Sequence, residues 1–297
     1  SEVGLSSSVT THEIIKVFDA VASGYDSPAL RCFPFCADRI MTFLQLKPGD
    51  KVLDVATGTG VVALAASQFI APNGRVMAID LSEKMLDECQ KKITHLKIDN
   101  IDLHDMDAQQ LDFRREYFDV VICSFAVFFL DDPVAAVKEW LRVLKPGGQL
   151  LFTSFKDSSF QPLLNQYKED VESIVGEFNP PDFLLSHKGI SFVQAGKLLN
   201  SALKTAERCE ELLSIAGAEK ITICEQQTGY HLTNELDWWE VVWNTALRLF
   251  VDDMTEQQIG DLKAKHLASI QSFKTDSGIW LNLDVIFAQA VKGIRNK

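Results

Sequence analysis

The 297-residue sequence has no apolar run long enough to cross a membrane. Its longest, residues 120–130, is about half of the ~20 residues a spanning helix needs. With Cys123 and Ser124 inside it, the run reads as a buried strand, and no integral membrane segment is expected. Residues 1–10 are Ser-rich, without a basic or apolar stretch, so they are expected to form a flexible tail and not a secretory leader. No C-x-x-C pair occurs. The six cysteines (Cys32, Cys36, Cys89, Cys123, Cys209, Cys224) are scattered, which predicts reduced thiols in a cytoplasmic protein. The six histidines show neither H-x-x-x-H nor mixed His/Cys ligand spacing, so no metal site is expected. Positive charge is scarce, with 29 Lys and Arg against 41 Asp and Glu. The densest basic runs, Lys91-Lys92 and Arg114-Arg115, lie among acids, which argues against a nucleic-acid partner.

What is present is a rhythm. Helical spacing over residues 11–23 and 29–46 gives way, after Lys47-Pro48-Gly49, to strands alternating with helices. Strands are expected at 51–56, 75–79, 101–104, 118–125 and 149–155, with helices at 61–69, 83–96 and 133–144 between them. That alternation means βαβ units, hence an α/β, doubly wound, Rossmann-like and mostly parallel sheet. Two later strands, at 219–225 and within 278–291, bring the sheet to seven. A single domain is expected over 11–297, with its core at 47–156, 204–230 and 277–293. A helical cap is expected from 11–46, 157–203 and 231–276. In such a sheet the ligand crevice lies over the strand carboxyl ends.

The segment Leu53-Asp54-Val55-Ala56-Thr57-Gly58-Thr59-Gly60 ends a strand in small residues before a helix. Backbone and ligand can approach closely there. Gly58 to Ala63 also fits G-x-G-x-x-G/A, so this window alone leaves a nicotinamide dinucleotide open. Asp54 inside the strand disfavours a pyrophosphate and suits a cationic amino group. Asp80, closing the next strand, is placed to take a ribose diol.

These residues resemble the class I S-adenosylmethionine-dependent methyltransferases. Further ordered matches carry the likeness: Asp80-Leu81-Ser82-Glu83-Lys84-Met85-Leu86, Asp107-Ala108, Phe118-Asp119-Val120-Val121 with Ser124, and Leu144-Lys145-Pro146-Gly147-Gly148. Val17 to Asp26, with Tyr25 near its end, is similar to the N-terminal motif of the ubiquinone/menaquinone-biosynthesis branch. Ala56 stands where most members have Gly. The resemblance implies S-adenosylmethionine as cofactor, S-adenosylhomocysteine as product, and methyl transfer to a small, fairly hydrophobic acceptor. It places Asp54, Ala56, Gly58 and Gly60 around the methionine end and Asp80 at the ribose. Leu81 and Met85 fall against the adenine, Asp107 and Ala108 at its edge, Ser124 by the methionine portion and Tyr25 over the sulfonium.

His187 and His231, in the expected cap, are the candidates for a general base. Trp239 and Trp243, one helical turn apart, are expected to line the acceptor pocket. Three alternatives remain open at this point: an NAD-dependent oxidoreductase, an arsenite methyltransferase using the cysteines, and a cofactor-binding protein without methyl transfer. Oligomeric state is not legible.

Overall fold

A computed structural model describes residues 11–177 and 203–295. The expected tail, His187 and the part of the cap at 178–202 lie outside the described residues. The strands are Lys51–Val55 (β1), Arg75–Asp80 (β2), Ile101–Asp105 (β3), Phe118–Ser124 (β4), Leu144–Phe155 (β5), Glu219–Gln227 (β6), Tyr230–Leu232 (β7), Lys274–Thr275 (β8), Gly278–Leu281 (β9) and Asp284–Val291 (β10). The main sheet has seven strands in the order β3-β2-β1-β4-β5-β10-β6. The first five run parallel, and β10 lies antiparallel to both of its neighbours. The order reverses at β1, so the crevice opens over the carboxyl ends of β1 and β4.

The helices among the described residues are Thr11–Val21 (α1), Cys32–Phe43 (α2), Val61–Ile70 (α3), Glu83–Leu96 (α4), Pro133–Val143 (α5), Leu163–Val175 (α6), Ala206–Ile215 (α7), Glu235–Trp243 (α8) and Glu256–Ser269 (α9). Their starts follow capping chemistry. Ser82 accepts from the Met85 N–H to open α4, and Asp132 with Pro133 opens α5. Thr255 and Gln258 form a reciprocal capping box on α9. One face of the sheet packs on α5 and α7 around buried Trp140, and the other on α2 and α3. Strands covered on both faces explain their almost unbroken apolar sequences.

Two sequence expectations change. The helix expected at 29–46 is preceded by a 3-10 turn, Pro28–Leu30, and ends when Leu44 becomes extended. The apolar stretch 278–291 is two strands in two sheets. Near Asn282, whose amide donates to the Ser158 carbonyl at 2.9 Å, the chain leaves a small sheet of β7, β9 and β8 and enters the main one.

Over the crevice, α6, α8 and α9 pack around Tyr167 and Trp238. A buried polar chain ties them together: the His266 ring sits 2.8 Å from Asp170 through Nδ1, and its Nε2 accepts from the Trp238 indole at 2.8 Å. Only the neutral ring, with its proton on Nδ1, satisfies both neighbours. Burial holds the imidazole below its ordinary value despite Asp170. The unfolded chain therefore takes up the proton first, near pH ~6.5, and stability present above that pH is lost as the pH falls through the lower folded value. Thermal melts from pH 8 to 5 are expected to show this decline, and His266→Gln should flatten it.

The dispersed basic residues are also gathered by folding. Arg115, Lys138, Arg142, Lys292 and Arg295 line a cleft at the opposite end of the sheet. Arg142 is paired with Glu139, and the Lys292 ammonium donates to the carbonyls of Arg142 and Leu144, so these two cations cap local structure.

Candidate active site

The turn after β1 takes left-handed backbone angles at Ala56 (φ 55°), Gly58 (φ 57°) and Gly60 (φ 89°). Glycine adopts this region freely and alanine at a cost of about 1–2 kcal/mol, which gives a physical meaning to Ala56 standing in a glycine position. Beneath the turn, Asp54 is 1% exposed and accepts the Thr57 hydroxyl at 2.6 Å. Burial raises its carboxyl to about 7. Above it, Asp80 bridges two loops, accepting the Gly58 N–H at 2.8 Å on one oxygen and the Ser82 N–H at 2.8 Å on the other. Burial pushes the Asp80 carboxyl up while those N–H donors oppose the shift.

The N-terminal motif closes the same region with its acids. Asp19 accepts the Ser82 hydroxyl at 2.6 Å, and Asp26 accepts the Thr59 hydroxyl at 2.8 Å. Neither role was legible beforehand, because the partners lie more than thirty residues away.

A chamber of about 840 Å³, partly open to solvent, lies over these loops. Its lining brings together Tyr25, Ala56, Gly58, Asp80, Leu81, Met85, Asp107, Ala108 and Ser124. Asp54 and Gly60 are not among its walls. Asp54 pins the turn from below. At Gly60 a β-carbon would run into the Cys89 sulfur, so this glycine lets α3 and α4 pack closely. At Gly58 a β-carbon would meet nothing within 4 Å, because the position faces the chamber. Asp107 accepts the Gln109 N–H at 2.9 Å, and the Ala108 carbonyl accepts from the Trp140 indole at 2.9 Å. Sequence reasoning missed Ile14, Ile15 and Phe18 of α1 and Met106, which also line the space; the apolar face of α1 was the available signal.

A second chamber of about 930 Å³ adjoins the first. Phe18, Tyr25, Phe125 and Phe129 line both, forming an aromatic partition. Tyr25 stacks on Phe33 at 4.9 Å, and Phe125 on Phe155 at 4.3 Å. Phe125 holds a left-handed φ of 51°, a costly state for a bulky residue, while its N–H donates to the Thr153 hydroxyl at 2.9 Å. The other walls include Cys32, Leu164, Val241, Ala246, Leu247 and Leu281, with a polar end at Lys156, Asp157 and Lys204.

The expected cap residues fare differently. His231 is exposed on β7 against Trp280, away from both chambers, so it is no base for this site. Trp239 and Trp243 share a helix face, as their spacing predicted, but stack on each other at 6.2 Å beneath Lys263 and Arg248. Neither lines a chamber; α8 contributes Val241 instead. Of the cysteines only Cys32 lines the second chamber, and burial raises its thiol well above the ordinary value. No group of three His, Cys, Asp or Glu side chains arranged to hold a metal occurs among the described residues. No helix among them is long and apolar enough to cross a membrane.

Comparison with known proteins agrees with this geometry. The chain is 31% identical over 163 residues to aklanonic acid methyltransferase DauC of Streptomyces sp. (strain C5), covering 52% of this chain and 74% of that one. It is 28% identical over 186 residues to demethylmenaquinone methyltransferase of Bacillus cytotoxicus, covering 62% and 76%. Among solved structures, the [4+2]-cyclase SpnF shares the fold with a TM-score of 0.62 at 17% identity, over 97% of this chain and 98% of its own. The sequence profile of the ubiE/COQ5 methyltransferase family matches residues 6–178, more than half of the chain and all of the segments that wall the first chamber. The chain belongs to that family and is an S-adenosylmethionine-dependent methyltransferase.

Proposed function

We propose that the first chamber holds S-adenosylmethionine and the second a small, largely apolar organic acceptor. The observation that carries this is the shared partition of Phe18, Tyr25, Phe125 and Phe129, which leaves two adjoining spaces with different linings. Family membership sets aside the nicotinamide reading of the glycine turn, and the placement of the cysteines gives no metalloid cluster.

The first chamber's residues suit the cofactor. The space left by the missing Gly58 side chain admits a ligand against the backbone. Each Asp80 oxygen retains a lone pair after its N–H bond, enough to accept the ribose hydroxyls. The Gly58 N–H is already donated to Asp80, so the methionine carboxylate would be met by other donors of the turn. Leu81 and Met85 would flank the adenine, with Asp107 and Ala108 at its edge and Ser124 by the methionine portion. Tyr25, kept as a neutral phenol by burial, would offer its face to the cation. When bound, the cofactor supplies a methyl group already activated on a sulfonium. The protein's task is then to align the acceptor and exclude water, which the aromatic partition does.

Asp80→Ala is expected to weaken S-adenosylhomocysteine binding by about 1.5–3 kcal/mol, the range of a charge-assisted hydrogen bond. Asp54→Asn, which can still accept from Thr57, should bind within about twofold of wild type. Calorimetry of the two variants checks this; equal losses would contradict the separate roles. The proposed function itself is tested by incubating the enzyme with deuteriomethyl-labelled cofactor and a metabolite extract. Mass spectrometry should find label in a small apolar product. Label confined to polar or macromolecular products would overturn the acceptor class.

A further inference from the structure

The basic cleft lies at the amino ends of the parallel strands, across the sheet from both chambers, and methyl transfer makes no use of it. We propose that it binds a compact polyvalent oxyanion of the diphosphate type, free or carried on an organic group, independently of the cofactor.

The cleft, about 1140 Å³ and broadly open to solvent, is lined by Arg115, Lys138, Arg142, Lys292 and Arg295, with one acid, Glu219. The five cations come from three segments: the turn before β4, α5, and the chain after β10. Backbone hydrogen bonds fix these segments to one another. The Glu116 and Tyr117 N–H groups donate to the Arg142 and Val143 carbonyls at 3.0 and 2.8 Å. The Gly147 N–H donates to the Lys292 carbonyl at 2.8 Å, and the Lys292 N–H to the Gly148 carbonyl at 3.0 Å. With the Lys292 ammonium on the Arg142 and Leu144 carbonyls as well, the end of α5 is covered, and its negative pole does not oppose an anion.

The charge of the cleft is not balanced from within. Arg142 has Glu139, and Lys292 caps the helix. The side chains of Arg115, Lys138 and Arg295 are exposed and form no hydrogen bond or ion pair with another described residue. Lys138 and Arg142 stand one turn apart on α5, a like-charge spacing that costs stability. Burial holds the Lys292 ammonium below its ordinary value, and Arg115, Arg295 and Arg142 add to that against Glu116. Glu219, the acid of the wall, sits against the backbone of Gly293, where a β-carbon would lie 2.5 Å from its carboxylate oxygen. A surplus of positive charge therefore remains in a chain with 29 basic and 41 acidic residues. Two guanidinium forks and an ammonium on facing walls match the several oxygens of a diphosphate. Concavity favours this occupant over a lipid surface, because cations set on the walls of a cleft do not meet a flat plane of headgroups together.

The test titrates inorganic diphosphate by calorimetry into protein saturated with S-adenosylhomocysteine, at an ionic strength of about 0.15 M. The variants are Arg115→Gln/Arg295→Gln, Lys138→Gln and the control Arg114→Gln, whose guanidinium lies over Tyr117 outside the cleft. Wild type is expected to bind one diphosphate per chain. The double variant should bind about tenfold or more weakly and Lys138→Gln about threefold, while Arg114→Gln stays within about twofold. Without diphosphate the double variant should melt no lower than wild type, because repulsion is removed. Diphosphate should raise the Tm of wild type and not that of the double variant. Lys138→Gln, a change on an exposed helix face, keeps the test decisive if the double variant does not fold. Absence of binding to wild type, or equal affinity in all four proteins, would overturn the proposal. Binding to phosphatidylglycerol vesicles without binding to diphosphate would overturn it in favour of a lipid surface.

Discussion

Gly58→Val is expected to abolish measurable S-adenosylhomocysteine binding while the chain stays folded. A side chain at this position extends into the first chamber, since nothing lies within 4 Å of where its β-carbon would stand. The backbone there has φ 57°, so a β-branched residue also strains the turn by about 1–2 kcal/mol. That strain is small beside the stability of a domain of this size, and it reaches the Asp80 contact through the Gly58 N–H. Titration calorimetry with a circular-dichroism melt separates the two effects. A folded variant with wild-type affinity would show that the glycine turn serves packing alone.

His266→Ala is expected to cost stability rather than cofactor affinity. The substitution leaves the Asp170 carboxylate and the Trp238 indole N–H facing each other's vacated partner in the interior. Removing one member of such a buried network costs about 3–5 kcal/mol. At about 2–4 °C per kcal/mol, a fall in Tm on the order of 10 °C follows. Because α6 and α8 carry the second-chamber residues Leu164 and Val241, acceptor KM should rise before cofactor affinity changes. A Tm unchanged within about 1 °C would mean that the three helices do not depend on this network.

The sheet and the cofactor loops were legible because they obey local rules. A strand covered on both faces must be apolar, a tight turn at positive φ favours Gly, and a helix start needs a cap. Asp54, Gly58 and Asp80 could therefore be picked out by their positions at strand ends, whereas Asp107 came from the family resemblance alone. What separates Gly58 from Gly60 was not legible. Both are glycines in the same turn, and only the third dimension shows one facing the chamber and the other facing Cys89.

The second chamber was hidden for the same reason. Its walls come from Phe18, Phe33, Phe125, Phe155, Leu164 and Lys204, which no local pattern connects. The tryptophans of α8 drew attention through their size, but helical spacing says which residues share a face and not what that face meets. The face of Trp239 and Trp243 meets Lys263 and Arg248, while Val241, the smaller residue between them, reaches the chamber. The break within 278–291 went unread because β9 and β10 have the same apolar character on either side of Asn282-Leu283.

The division of the crevice into a cofactor chamber and an acceptor chamber is tested most directly through Ala246→Phe. Ala246 is 8% exposed and lines only the second space, so a phenyl ring there fills it and leaves the first untouched. S-adenosylhomocysteine affinity is expected to stay within about twofold of wild type, while transfer of the labelled methyl group to extract metabolites falls by about a hundredfold. Full turnover in a folded Ala246→Phe variant, or loss of cofactor binding together with turnover, would contradict the two-chamber account.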